Sequence, residues 1–257
     1  ILFPVHYAGI PVDTQLMERS IKNPDTMVIE DAAHALGSTY YDGKKVGSCN
    51  FSDMTVFSFH PAKTITTGEG GMVTTNSESL YNRLLLFRNN GIMKEFKEGA
   101  ESPGPWHYEV HDLTGNYNFT DFQAALGLSQ FKKLDQFVHS RRHLISRYRQ
   151  KLSQLPHVLM TPEKYDSQTA YHLCSVKIDF EACGISRAEL MAELARKGIG
   201  TQVHYIPVYR HPYFVKSMGE LEGHFPQMEE FFSKELSLPL FPDLKEKELD
   251  RVCETLA

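Results

Sequence analysis

The sequence predicts an α/β protein in which a larger unit, built on a mixed and mainly parallel sheet, is followed by a smaller carboxyl-terminal α/β unit. Three observations predict it. Short apolar runs alternate with helical spacing through the first third, a long helical pattern crosses the middle over 120–155, and the alternation restarts beyond Pro156. The expected units are 1–136, which would hold the chemistry, and 137–257, which includes part of the linking helix.

The elements follow in order. "ILFPVHYAG", "TMVIEDAAHALGSTY", "DMTVFSF" and "GGMVTTN" read as strands with their following turns, and "DTQLMERSIKN" between the first two has helical spacing. "SESLYNRLLLFRNNG" predicts a helix from a serine cap to Gly91. The polar, Gly- and Pro-containing "IMKEFKEGAESPGPWHYEVHD" predicts a long loop carrying the single tryptophan, Trp106. From Thr120 the pattern "TDFQAALGLSQFKKLDQFVHSRRHLISRYRQKLSQL" is helical for most of its length and long enough to bridge two units. The second unit reads as a strand in "AYHLCSVKIDF", a capped helix in "SRAELMAELARKG", a strand in "IGTQVHYIPV", and closing helices around "QMEEFFSKELSL" and "KEKELDRVCETLA".

Composition excludes several classes. With 41% hydrophobic and 23% charged residues the chain is globular, neither disordered nor a coiled coil. A formal net charge of -5 lacks the concentrated basic face that nucleic acid requires. No apolar run is long enough to span a bilayer, and "ILFPVHYAGIPVD" lacks the basic start and cleavage site of a secretory leader, so the expected compartment is the cytoplasm. Cys49, Cys174, Cys183 and Cys253 are widely spaced without a CxxC pair, which suits reduced thiols and no metal site.

The residues that bear chemistry cluster in the first unit. In "FSFHPAKTITTGEGGMVTTN", Lys63 follows an alternating apolar strand and has only His60 and Glu69 as near ionisable neighbours, which predicts a half-buried lysine. It is either a turn lysine that snorkels to water or an amine kept near neutral for Schiff-base chemistry. Asp31 closes the apolar run "MVIED" and is either a cap or turn residue or a carboxylate awaiting a cation. A strand-end aspartate followed by a Schiff-base lysine fits pyridoxal phosphate: the lysine holds the aldehyde and the carboxylate keeps the ring nitrogen protonated. Ser58 is then a candidate phosphate donor or a structural strand residue. "GEGG" at 68–71 lacks the lysine-serine pair and following helix of a phosphate cradle.

Four stretches in order, "VIEDAAHALGS", "SFHPAKTITTGEGGMVTT", "NYNFTDFQAALGLSQFKKLD" and "KGIGTQVHYIPV", resemble the sugar-nucleotide aminotransferases of the DegT/StrS type, fold type I pyridoxal phosphate enzymes. The resemblance covers essentially the whole chain. The wording of "HPAKTITTGEGG" and "GIGTQVHYIPVYRHPYF" is most similar to the bacterial UDP-4-amino-4,6-dideoxy-N-acetyl-beta-L-altrosamine transaminases of pseudaminic acid synthesis.

The resemblance implies a role for each matching residue. Lys63 is implied as the lysine that binds the cofactor and shuttles the proton, Asp31 as the carboxylate facing the pyridine nitrogen, and His34 as the contact to the ring hydroxyl. Ser58 is implied as the phosphate-binding serine. An asparagine reaching the phosphate of a partner subunit is implied in "TGNYNFTD", where Asn116 and Asn118 are both candidates, and with it a homodimer. His204 and Tyr205 in "VHYIPV" match a loop near the sugar, against the plainer reading of a strand with a satisfied histidine. Members of the family carry further residues before the stretch matching "ILFPVHYAG", so the chain is expected to begin inside the cofactor unit. The implied reaction is transamination of a nucleotide-linked 4-keto-6-deoxy sugar, UDP-linked, with glutamate as amino donor. The alternatives are an aminotransferase on another nucleotide sugar, or a silent fold that pairs with a longer subunit. Lys63 argues against the dehydratase branch, where histidine replaces it.

Overall fold

The computed structural model describes residues 1–94 and 104–257. In the first unit, helix α1 (Thr14–Ser20) starts where the Asp13 side chain accepts from the backbone N–H of Leu16. Strands β1 (Ile29–Asp31), β2 (Met54–Ser58) and β3 (Gly71–Thr74) form one sheet in that order, β1 parallel and β3 antiparallel to β2. "ILFPVHYAG" is not a continuous strand. It touches β1 through isolated parallel bridges, Leu2 to Val28 and Val5 to Asp31, because Pro4 has no N–H to donate and Tyr7–Gly9 turns into a 3₁₀ helix.

Helix α2 (Glu78–Arg88) is capped by Ser77 as its sequence predicts, and Gly91 donates back to Leu86 O. The expected long loop is closed by two short strands, β4 (Ile92–Met93) and β5 (Glu109–Val110), paired antiparallel. Its middle, 95–103, lies outside the described residues.

The central helical pattern is two helices, α3 (Asp121–Phe131) and α4 (Leu134–Leu152), with the break at Lys132 and Lys133, where Lys133 leaves helical geometry. The two helices use different environments. α3 buries no side chain, whereas α4 buries seven. Leu134 and Val138 of α4 pack with Ala32, Phe57 and Phe59 in the first core, and Leu144, Ile145, Tyr148 and Leu152 pack in the second. One 19-residue helix, about 28 Å long, thus ties both cores together.

In the second unit β6 (Val158–Met160), β7 (Cys174–Ile178) and later β8 (Glu235–Leu238) make an antiparallel sheet in that order. Between them lie α5 (Arg187–Arg196), closed by a Ser186–Glu189 capping box, α6 (Pro212–Met218) and α7 (Pro226–Lys234); α8 (Glu246–Leu256) ends the chain. Two expectations fail here. "IGTQVHYIPV" has only an isolated bridge, Gln202 to Ser237, and the expected helix over "QMEEFFSKELSL" stops at Lys234. Its last four residues become β8, all buried, because pairing Glu235–Leu238 with Cys174–Lys177 satisfies the backbone inside the core.

Candidate active site

The site starts at the carboxyl ends of β1 and β2. Their parallel register places Asp31 beside Val56, so Asp31 and Ser58 finish neighbouring strands on the same edge of the sheet. Glu30 and Asp31 point to opposite faces by the strand alternation: Glu30 is buried, while Asp31 is exposed and accepts from the Ala33 N–H at 3.0 Å. Beyond Ser58 the chain makes a closed loop. Phe59 N–H donates to Gly70 O at 2.8 Å, Thr67 N–H returns to Phe59 O at 3.0 Å, and Lys63 N–H is tied to His60 O at 2.9 Å. The loop projects the half-buried Lys63 side chain into the region of Asp31. Burial lowers the Lys63 amine below the usual lysine range, and the opposing charge of Asp31 only partly offsets this. The phosphate-cradle reading of "GEGG" gains nothing, since Thr67 Oγ1 and Gln123 Nε2 both donate to Glu69 O and use the loop to dock the start of α3.

His34 lies on the turn after Asp31 and is buried. Its Nε2 meets the Tyr205 hydroxyl at 3.2 Å, and its Nδ1 is buried without a partner among the described residues. Burial first, and the charge of Lys63 second, lower the imidazole to about 4, so His34 is neutral at neutral pH. His172 packs against it at a tilt of 46° with ring centroids 4.4 Å apart; also buried, and with Nδ1 unpartnered among the described residues, it is lowered to about 2 by burial first, then by the His34 ring and Lys63. Gly9 permits this approach. Its φ is +97°, and a Cβ there would stand 3.0 Å from both His34 O and Tyr171 N.

The second unit supplies His204 and Tyr205 from the irregular segment before α6. His204 N–H donates to Glu235 Oε2 at 2.8 Å and its carbonyl accepts from the Tyr7 hydroxyl at 2.7 Å. Side chains therefore hold a backbone that strand pairing does not, which is the physical reason "VHYIPV" is no strand. The His204 ring meets Ser237 Oγ through Nδ1 at 2.8 Å and is lowered by burial and then by Lys63. Tyr205 is raised by burial, then by Asp31 and Glu235. A cavity of about 270 Å³ opens here, lined by Ala62 next to Lys63 and by His172, Thr201, Gln202, His204 and Ser237.

Asp31, His34, Lys63, His204 and Tyr205 are thus brought together across the two units, with Ser58 on the adjoining strand end. Asn116 and Asn118 are not tied to this cluster. Both are exposed; Asn118 Nδ2 donates to Asn116 Oδ1 at 3.0 Å and Asn89 Oδ1 at 3.2 Å. Sequence reasoning missed Tyr7, His172 and Glu235. The only available signal was polar residues inside apolar stretches, "VHYAG" and "AYHLC".

A strand-end carboxylate, a lysine lowered by burial and neutral histidines thus lie together. The profile of the DegT/DnrJ/EryC1/StrS aminotransferase family matches residues 1–257, and the chain belongs to that family. The spore coat polysaccharide biosynthesis protein SpsC of Bacillus subtilis is 36% identical over 254 residues, 98% of this chain and 64% of that protein. An uncharacterized protein of Methanocaldococcus jannaschii is 37% identical over 248 residues, again 64% of its length. Helicobacter pylori PseC, an aminotransferase involved in the biosynthesis of pseudoaminic acid, superposes with a TM-score of 0.84 at 28% identity, over 99% of this chain and 65% of that one. The putative sugar aminotransferase Spr1654 from Streptococcus pneumoniae in its PLP-form gives 0.84 at 26% identity, over 98% and 66%. This chain therefore spans about 64% of the length of the curated relatives it matches.

Proposed function

We propose that the protein of which this chain is part transfers an amino group to a nucleotide-linked keto sugar with pyridoxal phosphate as cofactor. The observation that carries the reading is Lys63, depressed by burial and set between Asp31 and the neutral imidazoles of His34, His172 and His204. Family membership and the sugar aminotransferases among its structural relatives support it.

The residues present fit that cofactor. Burial lowers the Lys63 amine and so eases loss of its proton, the exposed Asp31 carboxylate has room for a cationic ring nitrogen, and the Nδ1 of buried His34, unpartnered among the described residues, awaits a ring substituent. When bound, pyridoxal phosphate supplies the electron-withdrawing ring that stabilises negative charge at the substrate carbon. This chain's own residues do the rest. Lys63 takes a proton at Nζ and returns it, Asp31 holds the opposing positive charge, and Ser58 binds an anionic oxygen at the strand end. His34, neutral and braced by Tyr205, keeps water and extra positive charge away. His204 and Tyr205 contact the sugar from the second unit.

The same reading takes glutamate as donor and a UDP-linked 4-keto-6-deoxy sugar as acceptor, in the manner of UDP-4-amino-4,6-dideoxy-N-acetyl-beta-L-altrosamine transaminases and pseudaminic acid synthesis. It divides the chain into a cofactor unit, 1–136, and a smaller unit, 137–257. It also makes the exposed Asn116 and Asn118 reach a second subunit across a two-fold axis, in a cytoplasmic homodimer. Among the described residues no helix is long and apolar enough to cross a membrane. Borohydride trapping of the cofactor followed by peptide mapping tests the reading: the label belongs on Lys63, and label on another lysine overturns the assignment.

A further inference from the structure

The polar cluster behind His204 is built around a carboxylate that the catalytic reading leaves unused. Glu235, the first residue of β8, is fully buried, and no cation lies within ion-pair distance of it among the described residues. Hydrogen bonds hold it instead. Oε2 accepts from His204 N–H at 2.8 Å, and Oε1 accepts from Ser237 Oγ at 2.7 Å and Ser175 Oγ at 3.1 Å. Tyr7 stands 3.4 Å from Oε1, but its single proton goes to His204 O at 2.7 Å, the shorter and better contact.

The donors and acceptors in this cluster can be counted. Burial raises the Glu235 carboxyl, while the hydrogen bonds from Ser237, the His204 N–H and Ser175 oppose this and favour the ionised form; an ionised carboxylate only accepts, so the proton of the Ser237 hydroxyl is committed to Glu235. Ser237 Oγ also lies 2.8 Å from His204 Nδ1. With its one proton used, Ser237 can only accept at that contact, and Nδ1 must carry the hydrogen. A neutral imidazole has one N–H, so Nε2 is left with a lone pair. Burial and Lys63 keep the ring neutral, and Nε2 has no partner among the described residues. His204 lines the cavity beside Ala62 and His172, so the lone pair is available to what enters there.

We propose that Glu235 is a positioning residue which, through Ser237, fixes His204 in the Nδ1–H tautomer, so that His204 Nε2 accepts a hydrogen bond from a hydroxyl or ammonium group of the substrate. The identity of the ligand rests on the aminotransferase reading; the tautomer does not. Replacing Glu235 by glutamine keeps the shape but adds a donor. Because the His204 N–H needs an acceptor, the amide oxygen takes the Oε2 place and the N–H₂ faces Ser237 and donates to it, which turns the Ser237 proton toward Nδ1 and moves the imidazole hydrogen to Nε2.

The test reads the tautomer directly by long-range ¹H–¹⁵N correlation on the full chain, with the His204 signals assigned as those missing in His204→Gln. The expected spectrum shows Nδ1–H in the parent and Nε2–H in both Glu235→Gln and Ser237→Ala. Nε2–H in the parent, or an unchanged Nδ1–H form in a folded variant, overturns the proposal. In the pyridoxal phosphate-loaded enzyme, kcat/KM with glutamate and a UDP-linked 4-keto sugar is expected to fall about tenfold in Glu235→Gln, the worth of one hydrogen bond to a poised acceptor. Equal activity of parent and variant overturns the substrate contact. An Nδ1–H signal in a chain that aminates no sugar leaves the relay standing and removes the functional reading alone.

Discussion

In the carboxyl-terminal unit all four residues of β8 are buried, β7 buries Cys174, Val176 and Ile178 in strict alternation, and α8 packs Leu249, Val252, Cys253 and Leu256 inward. In the amino-terminal unit β3 is almost wholly exposed, α2 and α3 bury no side chain, and Phe122 and Leu128 of α3 are 91% and 66% exposed. The core of the second unit is closed by its own side chains, although its α6 and α7 also bury none; the first unit, among the described residues, leaves β3, α2 and α3 uncovered. The proposed chemistry nevertheless lies mainly on the first. Lys63, Asp31, His34 and Ser58 come from the less enclosed unit, and the enclosed one holds His204 and Tyr205 against them. On the proposed reading, the contrast gives reactivity to one unit and rigidity to the other.

The sharpest separation comes from Lys63→Ala. Turnover is expected to vanish, because the amine proposed to bind the cofactor and carry the proton is gone, while chemical denaturation shifts by no more than about 0.5 kcal/mol, since a half-buried amine with a depressed pKa contributes no stability by being charged. A denaturation loss as large as that of a core residue would break the division of labour.

The opposite case is Leu236→Ala in β8. Leu236 is fully buried in the second core, and its truncation is expected to cost about 2–5 kcal/mol in urea unfolding. Its effect on activity should follow the unfolded fraction alone.

A buried network in the first unit gives an intermediate effect with a pH signature. Glu30 accepts from His6 Nε2 at 3.0 Å, from Thr55 Oγ1 at 3.3 Å, and from the Tyr40 hydroxyl. Burial by itself raises the Glu30 carboxyl, but the hydrogen bonds from His6 and Tyr40 outweigh it, and the net shift is downward from 4.5. A folded pKa below the unfolded one contributes stability that is present above about pH 4.5 and is lost as the pH falls through the lower, folded value. Acid unfolding of Glu30→Gln should therefore be less steep in that window than that of the parent; identical acid limbs would show that the network carries none of the first unit's stability.

The smallest effect belongs to Phe122→Ala. At 91% exposure Phe122 has little burial to lose, so unfolding of the isolated monomer is expected to change by less than about 0.5 kcal/mol. A larger loss would mean that α3 is covered in solution, and would narrow the difference between the two units.

The amino-acid sequence by itself determined what depends on near neighbours. The caps at Ser77, Thr120 and Ser186 close within three residues, Asp31 and Ser58 finish apolar runs, and the isolation of Lys63 among hydroxyls and glycines is visible in twenty letters. These signals are local because capping, strand alternation and turn chemistry act over a few bonds. Tertiary structure alone decided the rest. The shape of "VHYIPV" is set by Tyr7, 197 residues away, and Glu235, 31 residues away. The switch of "ELSL" from helix to strand is set by the edge of β7, and the neutrality of His172 by its burial and by the His34 and Lys63 brought against it. A buried polar group takes its conformation and charge from whichever partners the fold delivers, and those partners are distant in the chain.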